Sequence, residues 1–212
     1  MKKFLAILMF FFLAASLAQA SVGITRIGVM IGANLASLTR TEQSIDWKTK
    51  LDFAGGAFLT FSLADFFAIE PEILYSKKGS SYREETADYV LTTSIGLAYL
   101  DFPLLAKFYV PLGEESRTRP MLFAGPYLGW KVRSKLDITY EDYYGPVGEN
   151  HDLTGLKSMD TGLVVGGGID LDVKGGKFMI DIRYSTSFAT ISKTEAGMKN
   201  RVFTILIGYS FM

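Results

Sequence analysis

The chain has 212 residues, 49% of them hydrophobic and 14% aromatic, enough apolar material for one domain with a large buried or lipid-facing surface. Lys+Arg 22 balances Asp+Glu 22, and no concentrated basic stretch marks a nucleic-acid surface. The absence of cysteine excludes disulfides, thiolate metal sites and cysteine nucleophiles.

Lys2 and Lys3 precede a nearly unbroken apolar run from Phe4 to Leu17, and Ala18-Gln19-Ala20 puts small residues at the two positions a signal peptidase reads. This pattern predicts a secretory signal peptide over residues 1–20, cleaved after Ala20. The run is shorter than the ~20 residues of a spanning helix. No second long apolar run follows, and the lack of a cysteine excludes a lipoprotein anchor. Residues 21–212 then form one domain; without Lys2 and Lys3 it holds 20 basic and 22 acidic residues, a balance of −2.

From Ile27 onward the chain alternates at period two, which sorts side chains onto the opposite faces of a strand. Ile27, Val29, Ile31 and Leu35 alternate with Gly28, Met30, Gly32 and Asn34. The same pattern marks segments around Phe53–Phe61, Phe67–Tyr75, Leu100–Val110 and Leu122–Val132. It continues in Leu163–Val173, where Gly166-Gly167-Gly168 reads as relief of crowding within a strand. The alternation is sharpest in Phe178, Ile180, Ile182 and Tyr184 against Met179, Asp181, Arg183 and Ser185. The last segment sets Phe203, Ile205, Ile207, Tyr209 and Phe211 against Val202, Thr204, Leu206, Gly208 and Ser210. These are eight strand candidates, with no amphipathic helix after the signal. Pro71, Pro103 and Pro126 lie inside them and predict bulges or register breaks, because proline lacks a ladder donor.

Short links near Leu63–Asp65, Leu112–Arg119 and Lys174–Gly176 alternate with longer polar ones near Thr39–Thr49, Arg83–Thr93, Glu141–Lys157 and Thr190–Lys199. Short periplasmic turns alternating with long outer loops are the plan of an outer-membrane barrel. The less greasy face carries Glu70, Glu72, Asp101, Lys107, Lys131, Arg133, Asp170, Asp172, Asp181, Arg183 and Arg201, charges of mixed sign among small residues. The other face has essentially no charge along mid-strand, as lipid demands. The expected fold is therefore all-β: an eight-stranded antiparallel up-and-down transmembrane barrel with those charges as a lumen network. Tyr75, Trp130, Tyr184, Tyr209 and Phe211 lie near strand ends as an aromatic girdle. Tyr209-Ser210-Phe211 also ends an amphipathic strand in the manner of substrates of the outer-membrane assembly machinery, with Met212 a departure from a terminal Phe. A soluble periplasmic ligand-binding barrel, with its greasy face inward, is the alternative that alternation alone leaves open.

Several segments resemble the PorT-like outer-membrane β-barrel proteins of Bacteroidota. They are Gly28–Leu38, Glu70–Gly79, Tyr99–Tyr109, Gly125–Trp130, Ile182–Tyr184 and Asn200–Phe203 with its closing strand. The resemblance spans nearly all of the segment after the signal. It implies the fold and an outer-membrane location, and through the founding member's name a link to protein secretion, but no catalytic residue.

Catalytic chemistry has thin support. His151 is the only histidine; a hydrolase at the outer rim would need it beside a serine and a carboxylate, with Ser80, Ser81, Ser158, Glu84 and Glu85 as partners by location only. The acidic clusters Glu84-Glu85, Glu141-Asp142 and Glu149/Asp152 read as solvated loops or cation contacts near lipopolysaccharide. Gly166–Gly168 has no following Lys-Ser/Thr, so it is no phosphate loop. The expectation is a non-enzymatic envelope protein without cofactor or metal, with a structural or interaction role. Its partners are outer-membrane lipid, lipopolysaccharide, the assembly machinery and other envelope proteins. A lipid-modifying hydrolase or a narrow pore is the alternative.

Overall fold

The structure, a computed structural model, describes residues 25–40, 48–86, 89–113, 116–153, 155–192 and 197–211. The expected signal segment lies outside them. The strands are β1 (Thr25–Arg40), β2 (Lys48–Ala64), β3 (Phe67–Glu85), β4 (Val90–Tyr109), β5 (Thr118–Asp142), β6 (Gly145–Asp152), β7 (Met159–Val173), β8 (Gly176–Ser187) and β9 (Met198–Phe211). All pairings are antiparallel. Neighbours pair in sequence from β1 to β5; β5 then passes to β7, β7 to β8 and β8 to β9, and β9 returns to β1. Eight strands thus form a closed circuit in which each is hydrogen-bonded on both sides. The ninth, β6, pairs among the described residues with β5 alone.

Burial follows the alternation with the usual sense reversed. On β9, Val202, Thr204, Leu206 and Ser210 are buried, whereas Phe203, Ile205, Ile207 and Phe211 are exposed. On β8, Met179, Asp181 and Arg183 are buried between the exposed Phe178, Ile180, Ile182 and Tyr184. A protein that keeps charges inside and aliphatic side chains outside fits a hydrocarbon surrounding, not water. Inside, Met30, Phe58, Leu105, Met121, Phe123, Val164 and Leu206 belong to one apolar cluster. A second, of Ile95, Leu97, Tyr99, Leu156 and Ile191, covers the end where the long connections lie.

The circuit's short turns are at Asp65-Phe66 and Lys174-Gly175, where Gly175 takes a positive φ of 91° that a side chain would strain. The opposite end departs from expectation. The predicted polar loops at 83–93 and 141–157 are largely strand: β3 continues to Glu85, β4 starts at Val90, and β5 runs 25 residues before turning at Tyr143-Tyr144 into β6. A spanning strand needs about 9–11 residues, so β3, β4, β5 and β6 project beyond the circuit. Within the projection β5 still alternates, with Leu136 packed against the second cluster, whereas β6 is exposed at seven of its eight positions and carries no inward/outward hydrophobic contrast.

The prolines interrupt the ladder without shifting it. Pairing lapses where Pro103 stands opposite Glu72 and where Pro126 stands opposite Leu104, then resumes in the same register. The actual irregularities lie between Thr49 and Ala54, between Ser62 and Ala64, and at Ala98/Tyr99, where β5 carries the extra residue Val132.

Candidate functional site

A network of buried polar side chains, with members from all eight circuit strands, crosses the interior. At its centre Arg183 of β8 donates to both Glu72 carboxylate oxygens of β3, at 2.7 and 3.2 Å, and to Asp181 at 2.7 Å. β3 and β8 stand four strands apart either way round the circuit of eight, so this pair bridges opposite walls. Lys107 of β4 lies 2.6 Å from Glu70 and 3.9 Å from Asp181, and the Thr60 hydroxyl of β2 donates to Glu70 at 2.6 Å. Toward the short turns, Arg26 of β1 reaches Asp170 of β7 at 3.3 Å and the Tyr109 hydroxyl at 3.1 Å.

Toward the long connections, Lys78 of β3 pairs with Asp101 at 2.8 Å and stands 3.9 Å from Asp160 of β7. Asp160 accepts from the Tyr127 hydroxyl at 3.1 Å and the Asn200 amide at 2.8 Å. Asn34 donates to Ser76 at 2.9 Å and accepts from Thr204 at 2.8 Å, tying β1, β3 and β9. Aromatic rings fill the spaces between the charges. Phe123 lies 5.5 Å from Lys107 and 5.2 Å from Arg183, and Tyr99 and Tyr127 flank Lys78 at 4.8 and 4.9 Å. Gly166 lets the Phe123 ring lie against the wall, since a Cβ there would meet it at 2.6 Å.

The buried set holds six carboxylates (Glu70, Glu72, Asp101, Asp160, Asp170, Asp181) and four cations (Arg26, Lys78, Lys107, Arg183). Each cation is therefore a hub shared between acceptors, and burial makes its loss expensive.

Of the residues named from sequence, Glu70, Glu72, Asp101, Lys107, Asp170, Asp181 and Arg183 lie inside this network. Lys131 is half-buried at the long-loop end, where it donates to the Leu156 carbonyl at 3.3 Å. Three assignments are corrected. Arg133 is exposed on the outward face, because the extra residue at Val132 inverts the phase of β5 beyond it. Arg201 is exposed because it shares the phase of Phe203. Asp172 sits at the rim, paired with Lys177 at 2.6 Å. Asn34, on the face of Gly28 and Met30, joins the network, as do Arg26, Lys78, Asp160 and Asn200, which no sequence signal singled out although alternation from their neighbours places each inward. Tyr75, Trp130, Tyr184 and Phe211 are exposed on the outward face, and the Tyr209 ring lies 5.0 Å from that of Phe211.

His151 lies on β6 and meets Glu149 at 3.1 Å, both exposed. None of Ser80, Ser81 and Ser158 hydrogen-bonds to it. Ser80 points inward and donates to the Lys48 carbonyl at 2.9 Å, while Glu84 and Glu85 are exposed at the far end of β3. Among the described residues no cluster of His, Asp and Glu is arranged to hold a metal ion.

This arrangement of inward charge and outward aliphatic surface has a family match. A model of the outer membrane protein beta-barrel domain matches residues 18–193. The chain belongs to that family, and its place is the outer membrane. Among solved structures it is similar to the attachment invasion locus protein Ail of Yersinia pestis in complex with the heparin analogue sucrose octasulfate. There the identity is 13%, coverage is 89% of this chain and 100% of that one, and the TM-score is 0.40. It is similar also to OprG of Pseudomonas aeruginosa, with 16% identity, coverage of 88% and 94% and TM-score 0.42. For Neisserial surface protein A the values are 12%, 88% and 98%, and 0.41. No curated protein matches the sequence.

Proposed function

We propose that the circuit of eight strands is a transmembrane barrel whose lumen is plugged by its own side chains, and that the protein acts in the envelope as a non-enzymatic structural or interaction element. The observation that carries this reading is the Arg183–Glu72 pair, which spans the interior between opposite walls and is buried at both ends. A small barrel is just wide enough to be filled in this way, whereas aqueous channels belong to barrels of about 16 strands. The reading includes export by the signal peptide with cleavage after Ala20. It also includes contact with outer-membrane lipid and lipopolysaccharide, and delivery to the assembly machinery through the closing Tyr209–Phe211 strand. Kinship to PorT-like barrels rests on the segments quoted above.

The interaction role is supported by the projecting strands. β6 leaves one edge open among the described residues, next to the exposed Tyr143, Tyr144 and Val147. Free strand edges pair readily with other chains.

Two measurements on the purified protein test the reading. Boiled and unboiled samples in SDS migrate differently if every circuit edge is paired; equal mobility together with solubility in the absence of detergent refutes the barrel. In planar bilayers the protein gives no steady conductance, and a stable unit current refutes the plugged lumen.

A further inference from the structure

The outward face of the circuit is apolar until a definite row. Across β3, β4 and β5, Tyr75, Leu100 and Trp130 form one register row. The next row toward the projection is Lys77, Ala98 and Arg133, and the one after it Gly79, Gly96 and Lys135. Two cations therefore flank an alanine immediately beyond the aromatic row, and a third stands beside paired glycines. A fourth comes from β2: Lys50 Nζ bonds the Ser94 hydroxyl at 3.2 Å and would lie 3.8 Å from a Cβ on Gly96. The result is an open trough of about 200 Å³, floored by small residues and rimmed by four cations.

Asp52, 3.8 Å from Lys50, and Asp137 also line the trough and only partly offset this charge. Among the described residues Lys77, Arg133 and Lys135 form no ion pair, in a chain whose interior cations are all paired. The phase inversion at Val132 is what brings Arg133 and Lys135 to this face; without it they would point inward with Lys131.

We propose that this trough binds the phosphate groups of an outer-leaflet glycolipid, with Lys50, Lys77, Arg133 and Lys135 as the phosphate ligands. The inference rests on the transmembrane reading above, which sets the Tyr75–Trp130 row at the membrane boundary. Phosphates of a glycolipid headgroup lie just outside that boundary, where basic side chains are favoured. Arg133 offers a planar fork to two phosphate oxygens and the lysines offer point charges. Gly96 and Ala98, which line the trough, leave room for the sugar between the cations.

The test uses the full mature chain in detergent micelles and native mass spectrometry. The probes are phosphorylated lipid A, the same lipid A stripped of phosphate, and inorganic phosphate. The wild type retains phosphorylated lipid A about tenfold better than the stripped lipid. The combined variant K50Q/K77Q/R133Q/K135Q loses that preference, and so in part do the single variants K77Q and R133Q. R201Q, an outward cation on β9 away from the trough, keeps it. Equal retention of the two lipids, a preference that survives the combined variant, an equal loss in R201Q, or inorganic phosphate competing as well as the lipid would each overturn the proposal. Every variant is also run boiled and unboiled in SDS. An intact mobility shift with no lipid preference sinks this inference alone; a missing shift in the wild type sinks the barrel reading beneath it.

Discussion

The central ion pair offers the sharpest test of the filled interior. Arg183 makes two bonds to Glu72 and one to Asp181, and the side chains involved are buried. Replacing Arg183 with Met keeps the bulk but leaves two buried carboxylates without their shared cation. Breaking a buried pair in this way costs about 3–5 kcal/mol. Replacing Glu72 with Gln is milder. The amide oxygen still accepts one bond, and Arg183 retains Asp181, so the loss is that of one charged hydrogen bond, about 1–3 kcal/mol. The asymmetry follows from the buried ratio of six carboxylates to four cations, which makes each cation harder to replace than each acid. The double variant removes the contact from both sides and should cost less than the two singles combined, by about 1–3 kcal/mol. Urea unfolding of the protein in lipid vesicles, followed by the gel mobility shift, supplies the four stabilities. If the losses add to within about 0.5 kcal/mol, or if Glu72→Gln costs more than Arg183→Met, the pair is not the cross-lumen contact described.

Other tests address orientation and processing. Intact-mass analysis of the protein from outer membranes gives a chain beginning at Ser21; recovery of the full-length chain in the inner membrane contradicts export. Placing Arg at Ile182, which is exposed between the buried Asp181 and Arg183, costs about 2–4 kcal/mol if the position is near the midplane, measured by the same urea titration; a neutral result places Ile182 away from lipid. Nitroxides at introduced cysteines show oxygen accessibility peaking at 180 and 182 and dipping at 181 and 183, with one slip of phase at Val132; a regular period through 128–136 denies the bulge.

Alternation sufficed for the inward and outward faces of β8 and β9, because Asp181, Arg183, Thr204 and Ser210 stand between large apolar neighbours and both strands run without irregularity, which carries the phase through Met179 and Leu206. The interior cluster was legible to the same extent: Glu70, Glu72, Asp181 and Arg183 each sit two apart on one strand and so share a face. Lys78 and Asp160 obey the same rule but lie just outside the segments Phe67–Tyr75 and Leu163–Val173, in which alternation is plain from the sequence. What the sequence lacked was any mark of the extra residue at Val132. Nothing in Trp130-Lys131-Val132-Arg133 distinguishes a strand that keeps phase from one that inverts it, and a bulge is settled by the partner strand, here Ala98 and Tyr99 of β4.

The same logic explains why β6 was invisible. Its residues, Gly145-Pro146-Val147-Gly148-Glu149-Asn150-His151-Asp152, contain one aliphatic side chain, and seven of the eight positions are exposed. A strand held, among the described residues, by backbone pairing to β5 alone has no buried face to write into its composition. Periodicity reports which face meets a different medium, so it detects strands that separate lipid from lumen and misses those that water bathes on both sides. That difference also separates the two functional layers. The circuit's composition is set by the membrane and by the need to satisfy buried charge, and it is therefore readable. The projection and the trough beneath it answer to whatever meets the outer surface, and their residues acquire meaning only once the register brings Lys50, Lys77, Arg133 and Lys135, drawn from three strands, to one place.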